Sequence, residues 1–165
     1  MIRDVIRWGD PRLLADNREI TEFGISLSAL IADLVATCHA APGLGLAAPQ
    51  IGINERVAVV DLSVGEDPSA VHVLVNPVVV ERAGEETADE GCLSLPGLSQ
   101  PVVRPARVVV EASDSAGRRR TFSGGGLLAR ALCHEIDHLD SRLFVHHLRG
   151  IRREMTMKKI ARRWG

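Results

Sequence analysis

His134, Glu135 and His138 form an H-E-x-x-H pattern inside the mostly apolar run from Leu127 to Leu139. On a helix, residues four apart lie about 40° apart around the axis and one turn along it, so both imidazoles can face one point. That point can hold a metal, and Glu135, beside the first histidine, can reach a water on it as a general base. Three fixed residues are a modest filter, and a third ligand has to come from elsewhere. Cys133 adjoins His134, but helix neighbours lie about 100° apart, so it cannot share a metal with both histidines and reads as core. A metzincin would have Gly three residues and His six residues after the second histidine, where this chain has Ser141 and Phe144. Glu154 could imitate the glutamate that some zinc peptidases supply from a later helix, yet it stands in a basic segment with no motif around it. Cys92, in Glu90-Gly91-Cys92-Leu93-Ser94-Leu95-Pro96, is the better candidate, because it alone among the cysteines lacks a good core-helix explanation. A thiolate with two imidazoles leaves a fourth position open for water, as a hydrolytic metal needs.

These residues need a scaffold to hold them. The 165 residues suit one domain with a real core. Hydrophobic residues reach 45% while aromatics are only 3%, so that core is built from Leu, Val, Ile and Ala. Apolar residues at Leu27, Leu30, Ile31, Leu34, Val35 and Cys38 predict an amphipathic helix, with Ser26 or Ser28 as N-cap and Pro42-Gly43 as its stop. Strands are expected at Val57 to Asp61, at Val71 to Val80 interrupted by Pro77, at Arg107 to Ala112 and, after a turn, through Arg118 to Phe122. The acidic stretch Glu81 to Glu90 reads as a solvated connection. Gly124-Gly125-Gly126 opens the H-E-x-x-H helix, which is apolar on nearly all sides and therefore buried. Burying Glu135, Asp137 and two imidazoles is costly unless each has a partner; a metal supplies several at once, and two satisfied core histidines are the plainer alternative. A last helix is expected from about Leu148 to Trp164, with Ile151, Met155, Ile160 and Trp164 on one side.

The stretch Gly43-Leu44-Gly45-Leu46-Ala47-Ala48-Pro49-Gln50-Ile51-Gly52 is not a phosphate loop, since no Lys-Ser/Thr follows and it leads into a strand. Its small residues fit either close approach to an extended substrate, with Gln50 as the polar contact, or a tight helix-to-strand connection.

The net charge of −1 gives no global attraction to nucleic acid, DNA included, or to membranes, although basic residues cluster at the C-terminus. No apolar run of about 18 residues and no leader-like start are present, and Cys38, Cys92 and Cys133 form no C-x-x-C pair. A soluble cytoplasmic protein is the expectation, with no membrane partner.

Taken together, Gly43-Leu44-Gly45-Leu46-Ala47-Ala48-Pro49-Gln50, Glu90-Gly91-Cys92-Leu93-Ser94 and His134-Glu135-Ile136-Asp137-His138 resemble the three signature motifs of the peptide deformylases, in order and at similar separations. The resemblance covers nearly the whole chain. It implies an α+β fold in which antiparallel β-sheets pack around a central buried H-E-x-x-H helix, with an N-terminal amphipathic helix and a C-terminal helix. Residues 1–165 would then be a single catalytic domain, with 148–165 as a basic C-terminal helix. It implies a metal-dependent hydrolase that removes the formyl group from the N-formyl-methionine of nascent polypeptides. Cys92, His134 and His138 would bind the metal, and Glu135 would be the acid/base. Gln50 and the backbone N–H of Leu93 would form the oxyanion hole, and Gly45 would meet the peptide backbone. Leu44, Leu127 and Ala131 would line the methionine slot, and Glu90 and Arg104 would steady the cysteine loop as an ion pair. Ferrous iron (Fe2+) is the implied metal, with Zn2+, Ni2+ or Co2+ as substitutes, although ligand chemistry alone favours zinc.

Two positions depart from the pattern. Ser141 stands where relatives commonly have Gly, and Gly97-Leu98-Ser99-Gln100 replaces a more charged loop. At the C-terminus, Arg149, Arg152, Arg153, Lys158, Lys159, Arg162 and Arg163 face Glu154 alone. A solvated amphipathic helix is one reading; for some members the resemblance implies binding to ribosomal RNA. An H-E-x-x-H zinc peptidase and a non-catalytic ribosome-associated relative are the competing classes. Cys92 and Gln50 in their motifs weigh against the first, and the intact Glu135 against the second.

Overall fold

A computed structural model describes all of residues 1–165. Five antiparallel strands form the main sheet in the order β1-β2-β3-β6-β7: β1 (Gly45–Ala47), β2 (Val57–Val60), β3 (His72–Ala83), β6 (Arg107–Ser113) and β7 (Arg119–Gly125). Strands β4 (Glu86–Cys92) and β5 (Leu95–Arg104) form a separate hairpin. Helices α1 (Ile25–Ala40) and α2 (Gly126–Leu139) lie on opposite faces of the main sheet, and α3 (Gly150–Trp164) follows α2. The architecture is α+β, as expected.

Strand β2 shows why the sheet is covered twice. All four of its residues are buried: Val57 and Val59 pack with Leu27, Leu30 and Leu34 of α1, while Ala58 and Val60 pack with Leu132, Ile136 and Leu139 of α2. Alternation along one strand thus feeds two cores, each buried aliphatic side chain contributing roughly 1.5–3 kcal/mol. Cys38 and Cys133 are core residues of α1 and α2. A third cluster joins Leu95, Leu98 and Val102 of the hairpin to Leu13, Phe144, Leu148 and Ile160.

The expected N-caps at Ser26 and Ser28 are not used. Gly24 caps α1 in an extended conformation, and both serines lie inside the helix, where a hydroxyl cannot reach back to the first free N–H groups. In β3 the register shifts between Val75 and Val78, where Asn76 takes φ +49° and Pro77 donates no hydrogen bond. The Asn76 side chain bonds both Ile20 N and Ile20 O, replacing a strand partner. Ser141 has φ +61°, a left-handed conformation that glycine adopts freely, and its hydroxyl donates to Ala15 O at 2.8 Å.

The solvated connection expected over Glu81 to Glu90 is instead strand β4 with the end of β3, and Gly97 to Gln100 belong to β5. The inward positions of β4 are Ala88, Glu90 and Cys92, so its alternation carries no hydrophobic amplitude. Helix α3 also differs from expectation. Its docking stripe is Thr156, Met157, Ile160 and Trp164, while Ile151 and Met155 are 74% and 57% exposed. A threonine at the centre of the stripe conceals it from an apolar count.

Candidate metal centre

Helix α2 is a wall between two environments. Leu132, Ile136 and Leu139 face the sheet, whereas Leu127, Arg130, Ala131, His134 and Glu135 line a cavity of about 470 Å³. The helix is buried over most of its length, as expected, and opens to solvent near its start, where Leu127 is 53% exposed. The opposite walls come from Gly43 to Gly45, from Gln50 and from the hairpin between Asp89 and Leu98. Gly124 admits this arrangement, because a Cβ there would lie 2.6 Å from Leu128 Cδ2.

At the cavity floor the hairpin turn presents Cys92 to the two histidines. His138 Nε2 lies 3.4 Å from Cys92 Sγ and 3.3 Å from His134 Nε2, and all three donor atoms fall within 4.8 Å of one another. Two donors on one tetrahedral ion, at bond lengths of about 2.0–2.3 Å, are separated by roughly 3.3–3.6 Å. The donor set therefore fits a single first-row divalent cation. His134 Nδ1 donates to Glu90 Oε1 at 2.8 Å, which fixes the tautomer that turns Nε2 toward the shared point. Burial pushes the Cys92 thiol up, but the facing imidazoles of His138 and His134 outweigh it and bring the group down to about 5. The site favours a thiolate, the form that ligates metals.

Glu135 is buried, and its Oε2 has no hydrogen-bond partner. Burial raises its pKa despite the neighbouring imidazoles, as suits a group that takes and returns a proton. Gly45 lies directly against it: a Cβ at Gly45 would come within 2.7 Å of Glu135 Oε1 and 2.9 Å of its Cγ. The glycine is thus a requirement of close packing on the carboxylate. Gln50 is buried with its orientation set, since Oε1 accepts from Ala47 N at 3.0 Å while Nε2 donates to Ser94 Oγ at 3.2 Å and reaches Cys92 Sγ at 3.5 Å. Its N–H groups therefore face the centre. Leu93 sits in the turn after Cys92, and Leu44, Leu127 and Ala131 all line the cavity.

The Glu90–Arg104 pair is bidentate, at 2.7 and 2.8 Å, with both side chains buried. Arg104 also holds Asp137 at 2.6 Å, and Asp137 in turn pairs with His147 at 2.7 Å. Burial alone would raise Glu90, but Arg104 and His134 hold its carboxyl well below the usual range.

Sequence reasoning missed Arg130, which donates to Glu90 Oε2 at 2.7 Å and to the carbonyls of Val102, Ala88 and Glu86 across the hairpin. The available signal was an arginine one turn before His134 in a helix expected to be buried. The role of the first segment was missed as well. Ile6 N donates to Gln50 O, Trp8 N donates to Ser94 O, and Asn17 Nδ2 donates to His138 O and Leu139 O at the end of α2.

Comparison with known proteins agrees with this geometry. Residues 2–154 match the family model described as polypeptide deformylase. The peptide deformylase of Acidobacterium capsulatum is 42% identical over 160 residues, covering 97% of this chain and 94% of that protein. Among solved structures, the peptide deformylase of Thermus thermophilus superimposes with a TM-score of 0.92 at 38% identity, over 98% of this chain and 95% of the other. That of Legionella pneumophila gives 0.90 at 40% identity, again over 98% and 95%. A matched model spanning nearly the whole chain, and relatives this similar over nearly all of their own length, mean that this chain belongs to the polypeptide deformylase family.

Proposed function

We propose that Cys92, His134 and His138 hold one metal ion with which the chain removes the formyl group from the N-formyl-methionine of nascent polypeptides, releasing formate. The observation that carries this reading is the convergence of three ligand atoms beside an unpartnered Glu135 oxygen on the floor of an open cavity. A divalent cation held by Cys92, His134 and His138 would supply Lewis acidity, lowering the pKa of the attacking water. Ferrous iron is the metal we assign, with zinc, nickel or cobalt able to substitute.

Glu135 takes a proton from the attacking water, and hydroxide adds to the formyl carbon. Gln50 Nε2 and the Leu93 N–H donate to the oxygen as it gains charge, each donor contributing roughly 3 kcal/mol by analogy with other oxyanion holes. Glu135 then delivers its proton to the departing nitrogen as the C–N bond breaks, leaving formate and a free amino terminus. The peptide itself has a docking edge. Asp61 N donates to Leu44 O, so the hydrogen-bonded pairs with β2 fall at Leu44 and Leu46. The N–H and C=O of Gly45 consequently point away from β2, on the edge that no other strand covers. Leu44, Leu127 and Ala131 form the apolar slot for methionine in this reading.

We further read residues 1–165 as one catalytic domain, because the site draws on residues from Leu44 to His147 and the first segment supports it. Cytoplasmic location fits the three free cysteines, and no helix is long and apolar enough to cross a membrane. The basic face of α3 suits phosphate contacts with ribosomal RNA, since Lys158 alone among its cations pairs with an acidic side chain, at 3.4 Å. Formate release from formyl-Met peptides, assayed anaerobically with metal analysis beside an unformylated control, tests the central claim. Metal-loaded protein that releases no formate would overturn it.

A further inference from the structure

Arg130 is the one guanidinium lining the cavity, and it is largely buried, its side chain 8% exposed. Nη1 is spent on Glu90 Oε2, Val102 O and Ala88 O, and Nη2 on Glu86 O. Nε has no acceptor in the protein. Nor is it sealed from solvent, because the only buried side-chain atoms without partners are Glu135 Oε2 and His138 Nδ1. The solvent-filled space that Arg130 lines is the cavity, and Leu127, Arg130, Ala131 and His134 share one face of α2 by their spacing. The unspent N–H therefore belongs to a residue on the wall of the cavity that holds the slot assigned to the methionine side chain.

We propose that Arg130 is a specificity-determining residue that donates from Nε to an acceptor on the first side chain, so that the enzyme also accepts peptides beginning with N-formyl-methionine sulfoxide. This rests on the deformylase reading and adds to it a substrate class that an all-aliphatic slot would reject. A thioether is a weak acceptor, whereas the sulfoxide oxygen is strongly polar and loses its water on entering an apolar pocket. Desolvation without a partner is the penalty such a slot imposes. A guanidinium cannot deprotonate at any working pH, so the donor is always present, and its four bonds to the hairpin hold it in place.

The test compares kcat/KM for three peptides identical except at the first residue: N-formyl-methionine, its sulfoxide and N-formyl-norleucine, an acceptor-free analogue of similar length. Wild-type holoenzyme is expected to hydrolyse the sulfoxide within about tenfold of the methionine peptide. In Arg130→Met, which keeps an unbranched apolar stem but no donor, the sulfoxide-to-norleucine ratio is expected to fall at least about tenfold, the usual effect of losing a hydrogen bond to a charged group. Ratios taken on one preparation cancel any loss of metal or of active protein. Wild-type discrimination of more than about a hundredfold against the sulfoxide, or an unchanged ratio in the variant, would overturn the proposal. No formate from formyl-methionine itself would remove the deformylase reading, and this one with it.

Discussion

Replacing Gly45 by alanine adds one methyl group at the most constrained point of the site. The new Cβ would stand 2.7 Å from Glu135 Oε1, 2.9 Å from Cγ and 3.0 Å from Cδ. These separations fall about 0.5 Å or more short of ordinary van der Waals contact, and Cγ is too close to the helix backbone to swing clear. Either the carboxylate adopts another rotamer or α2 and β1 separate locally. Overpacking of this kind costs roughly 1–3 kcal/mol of stability. Displacing the acid/base by a few tenths of an ångström to 1 Å costs on the order of 10- to 100-fold in rate. The three atoms nearest the added methyl all belong to Glu135 and none to Cys92, His134 or His138, so metal content is expected to hold. The assay is formate release over a range of peptide concentrations, with metal analysis and thermal unfolding on the same preparation. A Gly45→Ala protein that keeps its metal and turns over within twofold of wild type would refute the close-packing argument.

Glu135→Gln is expected to retain metal and fold while losing about 10²- to 10⁴-fold in kcat, measured by formate release; near-normal turnover would remove its acid/base role. Arg104→Ala leaves Glu90 and Asp137 short of their main partner, so stability should fall by about 3–5 kcal/mol. Metal should also dissociate 10- to 100-fold more readily during dialysis, because Glu90 no longer holds His134 firmly; unchanged occupancy would count against this. Asp61 is held down to about 2, chiefly by the Ser63 hydroxyl and, against the opposing effect of burial, by His39 and the N–H groups of Gly65 and Ser63. Its carboxylate therefore contributes stability that is present above its ordinary value near 4 and is lost as pH falls toward 2. Asp61→Asn should melt lower than wild type at neutral pH and lose less between pH 4 and 2; parallel melting profiles would exclude the linkage.

The parts of the site that were legible in the sequence are those where chemistry restricts residue type over a short span. His134, Glu135 and His138 declare themselves by helical spacing, and the small residues around Gly45 by the room they leave. Hairpin β4–β5 was not legible, because its inward side chains are Ala88, Glu90 and Cys92, and a strand whose buried positions are functional loses its hydrophobic alternation. Arg130 escaped notice for a related reason. A buried cation is intelligible only with its acceptors, and these are mostly backbone carbonyls on another element. The docking face of α3 was hidden by Thr156, and the support given to α2 by Asn17 spans 121 and 122 residues of sequence.

Strand β1 is three residues long and has one uncovered edge. An open edge invites any extended chain, including a second copy of the same protein, to add a strand. At this length the edge offers too few hydrogen bonds to hold such a copy without help from side chains, since isolated strand pairs are marginal in water. The brevity of β1 thus separates transient peptide capture from self-association, and lengthening it would be the simplest route to a protein that aggregates through its own active site.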